Sequence, residues 1–303
     1  MAADDRLRVA ITGSTGLIGE ALVARLTAAG HTVHRVVRDR ARATGGDVYW
    51  SVADQTIDQA ALEGVDAVVH LAGEPIGANR WSDEVKARIR DSRVDGTRLL
   101  TEALAGLDRK PAALVSGSAV GFYGSRGDEV LTEDSTAGDD FLAGVTVAWE
   151  RAAQPALDAG IRTVFARTGV VIAEDGPLIE KVEFPFRLGV GGRIGDGRQY
   201  VPWISLEDEV RALEFLLTCD LDGPVNLTAP EPCTNAELTE ALGAVLKRPT
   251  ILPTPVFGIR ALYGEMGVTL ATASQRALPR RLLDAGFEFR HTSIRSALEL
   301  ALA

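Results

Sequence analysis

The first residues whose types and spacing could carry chemistry are three glycines, Gly13, Gly16 and Gly19. They stand between a short apolar run, residues 7–11, and an amphipathic stretch that begins at Leu17. In a nucleotide site built this way, the first glycine permits a tight turn, the second lets the pyrophosphate approach the backbone, and the third lets the helix pack closely on the sheet. The pattern therefore predicts a dinucleotide at a helix N-terminus, where unpaired N–H groups favour negative charge. The residues expected to contact it are Gly13, Thr15, Gly16, Leu17, Ile18 and Gly19.

A second determinant of the cofactor is the end of the next predicted strand, residues 32–37. Sites that prefer NAD carry an acidic side chain there, about 20 residues beyond the loop, that hydrogen-bonds the ribose 2′-hydroxyl. This chain has Val37 and Arg38 at that place, and a guanidinium can grip a 2′-phosphate with two hydrogen bonds. We therefore expect NADP in preference to NAD. The alternative is that Arg38 only ends a strand in solvent and that Asp39 turns toward the ribose.

Two polar residues, Ser118 and Tyr123, follow another predicted strand, residues 113–116. Ligands of open α/β sheets collect at this edge. A serine hydroxyl there could hydrogen-bond a substrate carbonyl, and a tyrosine phenol could donate a proton. The alternative is that the serine shapes a turn and the tyrosine is a packed aromatic. Ser118 and Tyr123 are the candidate catalytic residues.

The elements that would position these residues alternate between strands and helices. Further strands are expected at residues 48–50, 67–71 and 162–165, and helices at residues 82–107 and 141–159. This rhythm predicts an α/β fold, a Rossmann-type doubly wound parallel sheet. Beyond Val170 the pattern loosens, although Ser205 and Thr234 each begin a helix in capping-box register. We expect a dinucleotide-binding domain over residues 1–168 and a mixed region over residues 169–303, with a soft boundary between them.

Composition restricts the class of partner. The chain has 303 residues, of which 46% are hydrophobic, and a formal net charge of -10, which opposes binding to nucleic acid. No apolar run is long enough to span a membrane, and residues 1–6 are polar. The two cysteines and four histidines show no metal-ligand spacing. We expect a cytoplasmic protein that binds a small-molecule substrate and no metal, nucleic acid or membrane. The oligomeric state stays open.

Several segments together resemble the extended short-chain dehydrogenase/reductase superfamily, and in particular its atypical, epimerase-like subgroup. The segments are TGSTGLIG (residues 12–19), LAGEPI (71–76), RW (80–81), SGSAVGFYG (116–124), WE (149–150), RTGVV (167–171), PFRLG (185–189), PWI (202–204) and QRALPRR (275–281). The resemblance implies that Leu71, Ala72 and Gly73 border the cofactor ribose and that Arg93 reaches a cofactor phosphate. Arg93 could instead be a solvated helix residue.

The resemblance also has implications for the C-terminal region. It implies that the chain from about Gly176 onward forms a small substrate domain, or lid, over the nicotinamide end, with the rest of the mixed region completing the sheet. Trp203 and the loop of residues 189–197 would then lie near the substrate. Trp203 could instead be plain core, because pocket walls and cores share apolar composition.

One expected feature is missing. Members of this superfamily that transfer hydride normally use Tyr-x-x-x-Lys, in which the lysine tunes the tyrosine as an acid or base. No tyrosine here has a lysine four places later, and the two positions counted back from Glu150 are Leu142 and Thr146. Two hypotheses follow. The protein is an NADP-dependent oxidoreductase or epimerase-like enzyme acting on a small carbonyl or sugar-nucleotide-like substrate, or it is a non-enzymatic NADPH sensor that presents its C-terminal region to a partner.

Overall fold

The computed structural model of the chain describes residues 6–40 and 45–302, so most of the polar start expected at residues 1–6 lies outside the described residues. The strands are β1 (Arg8–Thr12), β2 (Thr32–Val37), β3 (Val48–Ser51), β4 (Thr56–Ile57), β5 (Ala67–His70), β6 (Ala113–Ala119), β7 (Val130–Leu131), β8 (Arg162–Thr168), β9 (Val170–Ile172), β10 (Tyr200–Val201), β11 (Trp203–Ser205), β12 (Gly223–Leu227), β13 (Cys233–Thr234) and β14 (Arg276–Ala277). The helices are α1 (Leu17–Ala28), α2 (Asp83–Ala105), α3 (Phe141–Arg151), α4 (Gln154–Asp158), α5 (Pro177–Arg187), α6 (Leu206–Thr218), α7 (Asn235–Leu246), α8 (Val256–Thr272), α9 (Arg280–Asp284) and α10 (Ile294–Ala301).

The large sheet has the strand order β12-β8-β6-β5-β1-β2-β3-β4. All of its neighbouring pairs are parallel except β3 with the short β4. From β1 the chain moves outward through β2 and β3, then returns to β5 on the other side of β1. The order therefore reverses between β1 and β5, and ligands of such sheets bind at the carboxyl ends of the strands at this point. The predicted Rossmann-type doubly wound fold is confirmed.

Alternation along the strands distributes apolar side chains to two cores. In β1, Val9 and Ile11 point to one face, where α1 and α6 cover them, and Ala10 points to the other, where α2 lies. The same alternation continues across the parallel strands, which are buried on both sides, as expected for a sheet covered by helices. Each layer of helices thus fixes one face of the sheet and leaves its carboxyl edge for a ligand.

Capping side chains mark several helix starts, and those at Ser205 and Thr234 confirm the predicted capping positions. The Ser82 and Ser205 hydroxyls accept hydrogen bonds from the first turns of α2 and α6, and Thr234 forms a full capping box with Glu237 at the start of α7. The single helix expected over residues 141–159 is wrong, because the structure has two helices, α3 and α4. Pro155 lies in the first turn of α4, and its missing N–H favours a new helix start there.

The mixed region over residues 169–303 contributes to both parts of the molecule. Its strand β12 pairs with β8 and extends the large sheet, and α6 covers that sheet. A separate core forms where α5, α7 and α10 pack around the short strands β9 and β11. Helix α8 is broken at Gly264, whose φ is 67°. None of the helices among the described residues is both long enough and apolar enough to cross a membrane.

Candidate functional site

The glycine loop joins β1 to α1 at the carboxyl edge of the sheet. Gly13 has a φ of 66°, and a Cβ placed on it would lie 2.8 Å from the Leu71 carbonyl carbon and 2.9 Å from the Ala72 nitrogen. Only glycine fits this turn, since a side chain there would be both strained and crowded. The close approach also brings the loop against the segment that follows β5. Two sets of residues predicted to contact the cofactor, Gly13 and the pair Leu71 and Ala72, therefore lie together.

The other two glycines differ from each other in what surrounds them. A Cβ on Gly19 would overlap the Gly13 carbonyl oxygen, so Gly19 lets the first turn of α1 lie directly on the loop. A Cβ on Gly16 would meet only the Gly13 carbonyl oxygen, at an ordinary 3.5 Å. Thr15 and Gly16 are exposed, and Gly16 is the N-cap of α1, with Leu17 and Ile18 in its first turn. The packing of the protein does not require glycine at position 16. An anion bound at the helix N-terminus would require it, because a side chain there would occupy the space of the anion.

A buried hydrogen-bond chain holds the loop against the neighbouring strand. Thr12 Oγ1 accepts from the Leu71 and Ala72 nitrogens at 3.0 and 3.1 Å and lies 2.7 Å from His70 Nδ1. Because its lone pairs are taken, Thr12 must donate its hydroxyl hydrogen to Nδ1, which leaves the hydrogen of the imidazole on Nε2. Nε2 then donates to Thr97 Oγ1 on α2 at 2.9 Å. Burial lowers the pKa of His70 to about 4, and the nearby Arg93 charge acts in the same direction, so the imidazole is neutral at pH 7.

The end of β2 carries the predicted 2′-phosphate residues. Val37 is the last residue of β2 and Arg38 follows it as an exposed side chain. β2 pairs with β1 so that Val36 lies beside Thr12, which puts Arg38 at the same edge as the glycine loop. Two residues on, the Arg40 guanidinium lies over the Tyr49 ring at 4.1 Å. Two arginines, Arg38 and Arg40, therefore flank Asp39 where the sequence predicts the 2′-phosphate.

Arg93 occupies a place beside the segment that follows β5. A Cβ on Gly73 would lie 3.2 Å from its Cζ, its Nη1 donates to the Glu74 and Ile89 carbonyls, and its guanidinium lies 5.0 Å from the Trp149 ring centre. Burial lowers its pKa to about 10, so it stays charged at pH 7. Arg93 is thus a packed residue at the edge of the site and not a solvated one. Its contact with a cofactor phosphate stays a prediction.

Ser118 lies in a polar cluster at the carboxyl end of β6. Its Oγ donates to Glu150 Oε1 on α3 at 2.6 Å. Arg167, its partner across β6 and β8, forks onto the same carboxylate, from Nε to Oε1 at 2.8 Å and from Nη2 to Oε2 at 3.0 Å. The side chains of Arg167 and Glu150 are 4% and 12% exposed. The three residues form a desolvated, charge-assisted network beside the edge where a ligand binds.

Tyr123 is hydrogen-bonded to the Arg167 side of this network. Its phenol donates to Asn226 Oδ1 at 2.6 Å and accepts from Arg167 Nη1 at 3.1 Å. The residue is 0% exposed, and burial raises the pKa of its phenol. A phenol so enclosed has no contact with solvent, and its one proton is already donated. This placement argues against the predicted proton transfer to a substrate and favours the alternative of a packed aromatic.

The two positions of the missing dyad lie beside the short helical turn that follows β6. A Cβ on Gly121 would be 3.6 Å from Leu142 Cβ and 3.7 Å from Thr146 Oγ1. Thr146 Oγ1 donates to the Leu142 carbonyl within α3, at 2.8 Å. A tyrosine and a lysine at these positions would face the end of β6, but neither residue present can titrate near neutral pH.

The segment after β5 also touches the C-terminal region. Lys181 of α5 donates to the Gly77 carbonyl at 3.1 Å, and Lys86 pairs with Glu265 of α8 at 2.8 Å. Arg80 donates to the Ala261 and Leu262 carbonyls, just before the break in α8. Three polar links therefore join the rim of the predicted cofactor site to the region expected to act as a lid.

Two features of that region, Trp203 and the loop of residues 189–197, were expected near the substrate. Trp203 is 0% exposed in the C-terminal core, and its Nε1 donates to the Glu231 carbonyl at 3.1 Å. This placement argues against the predicted substrate contact and favours the core alternative. The loop of residues 189–197 packs against residues 252–254, where Gly195 donates to the Thr254 carbonyl.

Two glutamates were missed as site residues from the sequence. Glu150 was used only to count positions, although it lies in a segment that carries the resemblance. Glu209, on α6, accepts from Thr168 Oγ1 at 2.8 Å, and its second oxygen is buried without a partner. Burial raises the pKa of Glu209 to about 8, so this carboxyl is mostly protonated at pH 7. A glutamate in an amphipathic helix is normally solvated, and no local pattern indicates that this one points inward.

Comparisons with known proteins agree with this geometry. The model of the NAD dependent epimerase/dehydratase family matches residues 9–146, and DUF1731, a domain of unknown function, matches residues 254–301. An epimerase family protein of Mycobacterium bovis is 48% identical over 97% of both chains. The crystal structure of human epimerase family protein SDR39U1 with NADPH has a TM-score of 0.89 and 33% identity, and the match covers 97% of this chain and 99% of that one. A nucleoside-diphosphate sugar epimerase structure from Corynebacterium glutamicum has a TM-score of 0.81 and 37% identity, over 98% of this chain and 59% of that one.

Proposed function

Because this chain belongs to the NAD-dependent epimerase/dehydratase family, we propose that it binds NADP(H) and acts on a small carbonyl or sugar-nucleotide-like substrate. The observation that carries the proposal is the contrast between the three glycines. Gly13 and Gly19 are required by the fold, whereas the space at Gly16 is needed only by a ligand. The human relative that was solved with NADPH supports the same cofactor.

The residues that would hold the cofactor come from three strand ends. The α1 N-terminus at Gly16 would bind the pyrophosphate, and Arg38 would bind the 2′-phosphate. Leu71 and Ala72 would border a ribose, with their backbone positions fixed by Thr12. When bound, NADP(H) supplies a hydride donor or acceptor.

Ser118 is the substrate contact in this proposal. It stands at the carboxyl end of β6, two strands from the glycine loop in the sheet order. Any proton that moves must use Ser118, a water or the substrate itself, because Leu142 and Thr146 cannot titrate and Tyr123 is enclosed.

The second candidate function is an NADPH sensor without catalysis, and the observation that favours it is the occupation of both dyad positions by Leu142 and Thr146. The two candidates share cofactor binding and differ in turnover. A screen of alcohol and carbonyl substrates, followed by NADPH absorbance, separates them. Turnover of any substrate supports the enzyme, and NADPH binding without turnover across the screen favours the sensor.

Cofactor choice is tested by titrating NADPH and NADH into the wild type and Arg38→Ala by calorimetry. Loss of the charge-assisted contact should weaken NADPH binding by roughly tenfold to more than a hundredfold and leave NADH nearly unchanged. Arg295→Ala, which removes an exposed arginine from α10, is the matched control. Equal losses for both cofactors would mean that Arg38 does not contact the 2′-phosphate.

A further inference from the structure

The hydroxyl of Ser118 has one proton, and its direction is set by the protein. Glu150 Oε1 receives hydrogen bonds from Ser118 Oγ at 2.6 Å and from Arg167 Nε at 2.8 Å, and Oε2 receives one from Arg167 Nη2 at 3.0 Å. Arginine has only donors, so both carboxylate oxygens act as acceptors in this fork. The Ser118 proton therefore points at Glu150, and only the oxygen lone pairs of Ser118 remain for another molecule.

The carboxylate that receives this proton is itself held in place. Arg167 Nη1 donates to the Tyr123 phenol at 3.1 Å and to the Glu133 carbonyl at 3.4 Å, and its guanidinium carbon lies 3.5 Å from the Phe122 ring centre. Every nitrogen of the guanidinium thus has a partner. Since the Arg167 side chain is 4% exposed, water does not compete for these contacts. The guanidinium plane is fixed, and it fixes the plane of the Glu150 carboxylate.

We propose that Glu150 is a positioning residue that makes Ser118 a hydrogen-bond acceptor, so that the group recognised at Ser118 is a donor, the hydroxyl of an alcohol, and not the carbonyl expected from the sequence. This inference rests on the proposed function, in which Ser118 contacts the substrate. It narrows the preferred ligand to the alcohol member of an alcohol and carbonyl pair. Ser118 is 5% exposed, at the carboxyl end of β6. An alcohol that reaches it would donate its proton to the lone pairs of Ser118, whereas a carbonyl oxygen would meet those lone pairs without a proton between them.

The direction of the hydroxyl is tested on the wild-type protein alone. Neutron diffraction from crystals exchanged into D2O locates the deuterium on Ser118 Oγ. We expect it on the line to Glu150 Oε1, with no deuterium on the carboxylate. Deuterium bound to Glu150, or a Ser118 hydroxyl directed away from it, overturns the inference. This result does not depend on any cofactor or substrate, so it is separable from a failure of the proposed function.

The ligand preference is tested with cyclohexanol and cyclohexanone by ligand-observed NMR titration. The alcohol is measured with NADPH and the ketone with NADP+, so that neither pair can react. We expect the wild type to prefer the alcohol by roughly two- to tenfold, the worth of one net hydrogen bond. Equal binding, preference for the ketone, or no detectable binding of either probe contradicts the inference.

Glu150→Gln is the variant that reverses the preference. Its one carbonyl oxygen is needed by Arg167, so its amide N–H is left to donate to Ser118, which then turns its own proton outward. The ketone should now bind more tightly than the alcohol, an exchange that a general loss of packing would not produce. Glu183→Gln, which changes an arginine-paired glutamate on the exposed side of α5, is the matched control. Ser118→Ala tests the substrate contact separately. If this variant binds the alcohol and the ketone as tightly as the wild type does, the proposed substrate contact is wrong, even where neutron diffraction has confirmed the hydrogen bond from Ser118 to Glu150.

Discussion

Thr12 Oγ1 lies 2.7 Å from His70 Nδ1, and this single contact joins the last residue of β1 to the last residue of β5. These are the two strands between which the strand order of the sheet reverses. The same threonine oxygen fixes the Leu71 and Ala72 nitrogens, so one buried side-chain pair sets the backbone on both sides of the predicted cofactor crevice. The contact requires a neutral imidazole, because Nδ1 must accept.

We expect the wild-type protein to lose stability in acid because of His70. The unfolded chain binds a proton below pH 6.5, but the native imidazole does so only near pH 4. Stability from this group is therefore present above pH 6.5 and is lost as the pH falls toward 4, by about 3 kcal/mol in all. Denaturant titrations across this range should show a smaller loss of stability in His70→Asn than in the wild type. Equal pH slopes in the two proteins would contradict the assignment.

We expect Glu209 to lower the stability of the protein in alkali, the opposite of the effect of His70. Its folded pKa of about 8 lies above the ordinary glutamate pKa of 4.5, so between these values the native state holds a proton that the unfolded chain has released. Stability from this group is present below pH 4.5 and is lost as the pH rises through 8. Glu209→Gln should flatten the decline in unfolding free energy between pH 5 and pH 9, while Glu240→Gln, an exposed glutamate on α7, should not. A decline of wild-type steepness in Glu209→Gln would count against a buried neutral carboxyl.

Substitutions at two glycines of the loop should cause two different defects, a loss of cofactor binding at Gly16 and a loss of stability at Gly19. Gly16→Val should fold normally and lose NADPH binding, because its Cβ has room in the protein but occupies the proposed pyrophosphate position. Gly19→Ala should be destabilised by about 1–3 kcal/mol or more, because its Cβ overlaps the Gly13 carbonyl. Thermal unfolding and NADPH calorimetry on both variants separate the two effects. Wild-type affinity in Gly16→Val would remove the loop from the cofactor site.

Tyr123→Phe separates a structural role from a catalytic one. Removal of the phenol leaves Asn226 Oδ1 and Arg167 Nη1 each short of one partner, which should cost about 1–3 kcal/mol of stability. NADPH affinity, and turnover of any substrate found by screening, should change little per folded molecule. Tyr263→Phe, at an exposed position on α8, is the control. A drop in turnover of roughly a hundredfold or more would restore the proton-donor role.

The sequence predicted the sheet and the glycine loop well because both depend on local patterns. Apolar runs, three glycines and two capping residues located β1, β2, β5, α1, α2, α6 and α7 to within a few residues. The family resemblance is confirmed. The break between α3 and α4 was missed because Pro155 is tolerated in a first helical turn and does not by itself say where a helix ends.

Side-chain contacts across the sheet could not be predicted from sequence. Ser118 and Arg167 are 49 positions apart and become neighbours only through the register of β6 with β8. That register determines that the Ser118 proton goes to Glu150 and that Tyr123 is enclosed. The burial of Trp203 could not be predicted either, because an aromatic residue beside a glycine-rich loop can lie in a pocket wall or in a core.

The position of β12 in the sheet has a consequence for folding during synthesis, because the chain is made from its N-terminus and β12 is made long after its neighbour β8. Its neighbour β8 ends at Thr168, and β12 ends at Leu227, so about 60 residues separate their completion, or about 3 to 12 s at a synthesis rate of roughly 5–20 residues per second. During that interval the outer edge of β8 and the apolar face later covered by α6 lack their native partners. A protein cut after Thr168 would remain in that state and would associate edge to edge.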